Sequence, residues 1–276
     1  TEGTRESELL FEAVQTFFDL LEAGAGRGRP QLLPALDVLP HQRLSSHSEI
    51  SEERAIGLWR LAGGRAPVTV APVASALLRT GEPDYYRQLA LVLRAEEEVP
   101  FEEVIAHLAA VGYERREPVE MVGEYSVRGG ILDVFPPESP RPVRIEFLGD
   151  LIESMRLFDP ETQRSVLKVE HCTLLPLVEH PRSPELAAEL RELAGREAVA
   201  GEDLFFPGWE FMAPLVRPRT GTLAGFDGRA VIVEDEPERL RAAAEKLWER
   251  LEHGAQAALC PPEKIFLTWD EWQAAT

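Results

Sequence analysis

The chain has 276 residues, 44% hydrophobic and 28% charged, enough for a sizeable core and about two domains. That balance excludes a disulfide-stapled miniprotein and argues against wholesale disorder. Lys and Arg number 29 against 48 Asp and Glu, a net charge of −19, so the chain as a whole disfavours phosphate backbones and anionic membranes, and no local basic patch stands out.

The opening TEGTRESELLF is neither a signal nor a transit peptide, and no run of about 18 apolar residues follows, so a soluble, cytoplasmic chain is expected. Starting at Thr1 without Met and running straight into a helical pattern, it reads as a fragment whose preceding strand lies upstream. Leu9, Leu10, Ala13, Val14, Phe17, Phe18 and Leu21 recur at helical spacing, with Gly24 as the stop. GAGRGRP reads as a loop, PALDVLP as a short apolar segment, and SEISEERAIGLWRLAGG as a second helix ending at Gly63. PVTVAP then reads as a buried strand, followed by a short helix over Ala74 to Leu78, an α/β alternation.

After TGEPDYY the pattern changes. PFEEVIAHLAAVGY predicts a helix opened by Pro100 and closed by Gly112, with Val104, Ile105, Leu108 and Ala109 as its apolar positions. From Glu117 to Pro176, VEMVGEYSVR, ILDVFP, VRIEFL, LIESMRLFD and VLKVEHCTLLP alternate with turn signals, which predicts an antiparallel meander packed on one helix. Beyond HPRSP, SPELAAELRELAGRE reads as a helix capped by Ser183, and the aromatic stretch EDLFFPGWEFMAPLVRPRTG as irregular. RAVIVED is expected to be a buried strand feeding the helix EPERLRAAAEKLWERLEHG, with IFLTW as a last strand and Asp270 capping a final helix. The return of α/β alternation suggests that the middle domain is inserted between two halves of one α/β layer.

No constellation for catalysis, cofactor or metal emerges. GxxxxGK[ST] is absent; the nearest lookalike, Gly24 to Gly28, lacks the lysine and the hydroxyl. Asp235 and Glu236 are better read as a helix N-terminus than as a magnesium-binding pair, because the helix dipole favours carboxylates there. The six histidines form no HExxH, and Cys172 beside His171 is too local a pair to mark a nucleophile. Cys172 and Cys260, far apart and without a CxxC companion, fit a reducing compartment.

What remains is a surface. Alternation along VRIEFL sends Val143, Ile145 and Phe147 to the core and Arg144, Glu146 and Leu148 outward, while the nearby EYSVR strand ends in Arg128 before Gly129 and Gly130. Guanidinium groups beside an exposed apolar side chain suit a protein interface; an ordinary exposed sheet face with an Arg–Glu cross-strand pair is the plainer reading of the same pattern.

The run GEYSVRGGILDVFPPESPRPVRIEFLGDLIESMRLFDPETQRS resembles the domain shared by the excision-repair protein UvrB and the bacterial transcription-repair coupling factors. An RG-x-h-h-[DE]-h-FP strand and an R-h-[DE]-F-x-[GD]-D strand carry the likeness, which extends more weakly through LPHQRLSSHSEISEERAIGLWRL, VTVAPVASALL and LTWDEW. UvrB places a long tyrosine-rich hairpin after its equivalent of PALDVLP. Here the chain passes directly into a helix, and DPETQRS looks more like the coupling-factor version of its turn.

The resemblance implies a degenerate RecA-like α/β domain, in parts 1–88 and 178–276, with an inserted antiparallel-sheet α+β domain at 89–177. It implies a non-catalytic module whose middle domain binds UvrA and recruits it to stalled RNA polymerase, within a parent that is an ATP-dependent DNA translocase. The rest of that parent, acting on polymerase and DNA, is the other expected partner; little direct nucleic-acid binding and no membrane contact are expected of this chain. The family's phosphate-loop position falls upstream of Thr1. By motif, Arg128, Arg144, Glu146, Phe147 and Leu148 correspond to the UvrA-binding face. Leu148 stands where the family often has a second phenylalanine, and Ser126 where UvrB commonly has arginine. A fragment of a UvrB-type damage-recognition helicase is the alternative reading.

Overall fold

The computed structural model describes residues 1–21, 28–194, 205–228 and 230–276. The expected helix stop at Gly24 and most of the GAGRGR connection therefore lie outside the described residues, as do Gly195, at the end of the helix expected from Ser183, and the start of EDLFF. Two compact units emerge, one made of Thr1–Arg87 with Ser183–Thr276 and the other of Gln88–Arg182, in a mixed α and β fold.

The first unit begins with α1 (Thr4–Leu21), which lies against a short parallel pair formed by β1 (Gln31–Leu32) and, further on, β2 (Thr69–Val70). The helix is amphipathic as its spacing predicts, yet among the described residues only Ser7 is buried and Leu9, Phe17 and Leu21 are exposed. Between the paired strands runs α2 (Ser48–Ala62), which has His47 as N-cap and Gly63 as C-cap and buries Ala55, Leu58, Trp59 and Ala62. Its Arg54 is wholly buried, and the guanidinium donates to the Pro34 carbonyl and the Ser75 hydroxyl. Two short helices follow, α3 (Val73–Ala76) and α4 (Pro83–Arg87), the latter carrying the buried Tyr86.

The second unit opens with β3 (Leu91–Arg94), which has no clear signature in sequence, and α5 (Phe101–Ala110), which buries Val104 and Leu108. The chain then builds a six-stranded sheet in sequential order: β4 (Glu114–Arg115), β5 (Glu124–Arg128), β6 (Ile131–Val134), β7 (Val143–Leu148), β8 (Leu151–Phe158) and β9 (Ser165–Lys168). Every neighbouring pair is antiparallel except β4 with β5, which is parallel. The stretch VLKVEHCTLLP, expected as one strand, is two: β9 closes the meander, whereas β10 (His171–Leu174) leaves it and pairs antiparallel with β3. Leu132, Ile145, Ile152 and Met155 face α5 residues Val104 and Leu108 across one continuous core.

The chain returns to the first unit with α6 (Pro184–Ala194), where the Ser183 hydroxyl accepts from the Leu186 amide, and α7 (Ala213–Val216). Then α8 (Pro237–Gly254) buries Leu240, Ala244, Leu247 and Leu251, and α9 (Trp269–Ala275) ends the chain. Three expectations are corrected here. The RAVIVED segment is not a buried strand: its described residues pair with no other described strand, and Val231 is 87% exposed. IFLTW contributes one isolated bridge, Phe266 to Leu78, because a 3-10 turn at Pro262–Lys264 and the start of α9 leave no length for a ladder. The cap of α9 is Thr268 rather than Asp270, in a capping box where the Thr268 hydroxyl accepts from the Glu271 amide and the Glu271 carboxylate accepts from the Thr268 amide.

Candidate protein-interaction face

Two glycines set the geometry of the sheet face. Gly129, the first residue of the two-residue β5–β6 loop, has φ 60°, a left-handed value that glycine takes without strain. At Gly130 a β-carbon would stand 2.6 Å from the Phe147 carbonyl oxygen, so the absence of a side chain lets the turn seat directly on β7. The Phe147 amide donates to the Gly130 carbonyl at 2.7 Å across that approach.

With this register, Ser126, Asp133, Arg144 and Arg156 lie opposite one another in a row across β5 to β8, and Arg128, Ile131, Glu146 and Ser154 form the next row. Successive strand residues alternate faces, so both rows lie on the side away from the core. The first row is organised by Asp133, whose carboxylate is only 2% exposed. Arg144 grips it from the side, Nε to Oδ1 and Nη2 to Oδ2, both at 2.7 Å. Arg128 Nη2 adds a third bond, to Oδ2 at 2.6 Å. The hydrogen bonds from Arg144 to Asp133 raise the already high pKa of that guanidinium.

The five sequence-derived site residues are not equivalent. Arg144 shares the outward face but is turned inward: its side chain is 18% exposed, Nη1 donates to the Gln163 carbonyl at 3.3 Å, and the guanidinium lies 4.8 Å over the Phe158 ring. The turn that follows β8 covers it. Arg128 is 46% exposed, with Glu117 3.8 Å away. Glu146 accepts from the Ser154 hydroxyl and lies 4.0 Å from Arg156 Nη2. Leu148, at the tip of the β7–β8 hairpin, is 68% exposed. Phe147 faces the core, where its ring lies 4.8 Å from that of Phe101.

Sequence reasoning missed Asp133 and Arg156. A signal for Asp133 exists, since in ILDV the aspartate alternates with Leu132 and Val134, which are core residues, and therefore shares the arginine face. Arg156, directly opposite Arg144 in β8, adds an exposed cation.

Elsewhere the chemistry is quiet. Burial pushes the Cys172 thiol up to about 12 and the Cys260 thiol up to about 11, so neither is a thiolate at neutral pH. Glu236 is the N-cap of α8 and pairs with Arg239 at 2.7 Å, while among the described residues no group of three His, Cys, Asp or Glu is placed to hold a metal ion. Among the described residues, no helix is long and apolar enough to cross a membrane.

Residues 91–180 match the UvrB interaction domain family. The chain is 33% identical over 271 residues to the transcription-repair-coupling factor of Myxococcus xanthus, covering 87% of this chain and 22% of that protein. It is 32% identical over 243 residues to the coupling factor of Mycobacterium bovis, covering 85% of this chain and 19% of the relative. UvrABC system protein B of Thermosipho africanus is 31% identical over 132 residues, 48% of this chain and 20% of that protein. The chain thus spans about a fifth of the length of these relatives. Residues 91–180 thus match a UvrB interaction domain, in a chain similar to the transcription-repair coupling factors over most of its own length.

Proposed function

We propose that this chain is a non-catalytic interaction module of a bacterial transcription-coupled DNA repair factor, and that the sheet of its second unit binds UvrA and brings it to stalled RNA polymerase. In this reading 1–88 and 178–276 are parts of one degenerate RecA-like domain, 89–177 is the inserted UvrA-binding domain, and the parent protein is an ATP-dependent translocase. The observation that carries the proposal is the outward face of the β5–β8 sheet. There Arg128 and Arg156 are exposed on the same sheet whose β7–β8 tip carries the exposed, apolar Leu148, within the segment that matches the family.

Exposed guanidinium groups offer planar, charge-assisted hydrogen bonds to carboxylates, and an exposed leucine on the same sheet adds apolar area to such an interface. Arg144 and Glu146 serve as the inner part of this face, and Phe147 holds β7 from the core side. Calorimetric titration with UvrA tests the proposal. Arg128→Glu and Leu148→Asp should each weaken binding at least about tenfold, near 1.4 kcal/mol. Affinity should also fall as salt rises from low to physiological concentration, because exposed charges are screened. Unaltered affinity in both variants refutes the reading. ATP turnover or tight DNA binding by this chain would favour the helicase-fragment alternative instead.

A further inference from the structure

Asp133 is a buried carboxylate with more cationic partners than it needs. Arg144 alone satisfies it, with two bonds at 2.7 Å in a side-on bidentate grip. A buried charge requires a partner, and that grip supplies one. The third bond, from Arg128 Nη2 at 2.6 Å, is therefore surplus to neutralising the aspartate, and it comes from a side chain that is 46% exposed. Its physical effect falls on the arginine. A free arginine side chain holds rotamer entropy that a binding partner would otherwise have to overcome. Anchoring one Nη leaves Nε and Nη1 without a hydrogen-bond acceptor among the described residues, held at the edge of the face, with the Glu117 carboxylate 3.8 Å from Nη1 and beyond hydrogen-bonding distance. Arg128 and Arg144 set two positive charges against the two negative ones of Asp133 and Glu117, so what the anchored surface offers an incoming acidic group is a pair of oriented, unoccupied N–H donors on Arg128.

We infer that Asp133 is the positioning residue of this face, pre-orienting Arg128, with Arg144 locked behind it, to receive a carboxylate of the partner. The inference rests on the proposed UvrA reading and extends it to a residue that need not touch UvrA at all.

The test uses the full chain and UvrA. Asp133→Asn keeps the shape and removes the charge; it should weaken UvrA binding at least about tenfold under conditions where melting and near-ultraviolet circular dichroism show the variant folded. Asp133→Glu, which restores the charge, should recover affinity to within about threefold of the parent. A purely structural role would lower the melting temperature and leave the affinity of the folded protein unchanged, and that result overturns the inference. A measurement on the unmodified chain decides the matter independently should Asp133→Asn not fold. The Arg128 Nε–H group should show restricted motion by 15N relaxation compared with that of Arg156, which among the described residues has only Glu146 at 4.0 Å. Equal mobility of the two overturns the assignment. If Leu148→Asp and Arg128→Glu weaken UvrA binding while Asp133→Asn does not, only the positioning role fails. If none of the three does, the interface reading fails with it.

Discussion

Residues 143–148 and 230–235 are short stretches, each rich in β-branched or apolar side chains, and they have opposite fates. The first is a strand with ladder partners on both edges. The second is unpaired among the described residues, with Val231 and Val233 facing solvent. The difference is in what flanks them. Gly149 with Asp150 turns the chain back within two residues to lay β8 on one edge of β7, and the eight-residue connection 135–142 brings it back from β6 on the other, so both ladder partners come from nearby sequence. Residues 230–235 lie between a 3-10 turn and α8, neither of which supplies an edge. The segment is tethered through Glu234, whose carboxylate accepts from Trp272 Nε1 at 3.0 Å and Gln273 Nε2 at 2.7 Å. Strand propensity, then, is permissive, and a partner with free hydrogen-bonding groups decides.

Substitutions can break this contrast in graded fashion. Ile145→Ala, at a fully buried position of β7, should cost about 3 kcal/mol in denaturant unfolding of the second unit, from lost transfer energy and the cavity left behind. Next comes Arg144→Ala, which strips Asp133 of its bidentate partner and leaves only Arg128. A loss of about 2 kcal/mol is expected, lower than for a fully buried pair because Arg144 is partly exposed. Arg144→Ala therefore changes both stability and binding, whereas Arg128→Glu reads binding more cleanly.

A smaller effect concerns the turn that closes β8 onto β9. The Asp159 carboxyl is held below its ordinary value by hydrogen bonds from the Thr162 amide and hydroxyl, then by Arg141. Because the folded pKa is depressed, its contribution is complete above the ordinary Asp value near 3.9 and is lost as pH falls through the lower folded value. The Thr162 amide resonance should titrate below the usual aspartate range; a midpoint at or above about 3.9 would contradict the hydrogen-bond assignment. At the bottom of the scale, Val233→Thr should change stability by less than about 0.5 kcal/mol, since the side chain is exposed.

The contrast also explains which elements are legible in the amino-acid sequence alone. The helix α5 is, since Pro100, Val104, Leu108 and Gly112 mark its start, face and end within a dozen residues. So are the β5–β6 and β7–β8 hairpins, whose glycines are local signals. The strand β3 is not, because its partner β10 lies nearly eighty residues away and no turn announces it. The same distance effect splits VLKVEHCTLLP at Val169, where pairing passes from β8 to β3. On the candidate face, alternation places Arg144, Glu146 and Leu148 on one side. It does not reveal that the arginine turns inward, since that depends on Asp133 across the sheet and on the Gln163 carbonyl from the following turn.

The shared carboxylate makes the two arginines a coupled unit, so single substitutions at Arg128 and Arg144 will not sum in a mutant cycle. It also suggests a way to separate folding from docking. Replacing Asp133 and Arg144 together with apolar side chains of similar volume removes both the buried ion and its obligatory counter-charge, an exchange that well-packed interiors tolerate. Such a chain should melt like the parent while leaving Arg128 at its rim unanchored, a scaffold on which docking is read apart from folding.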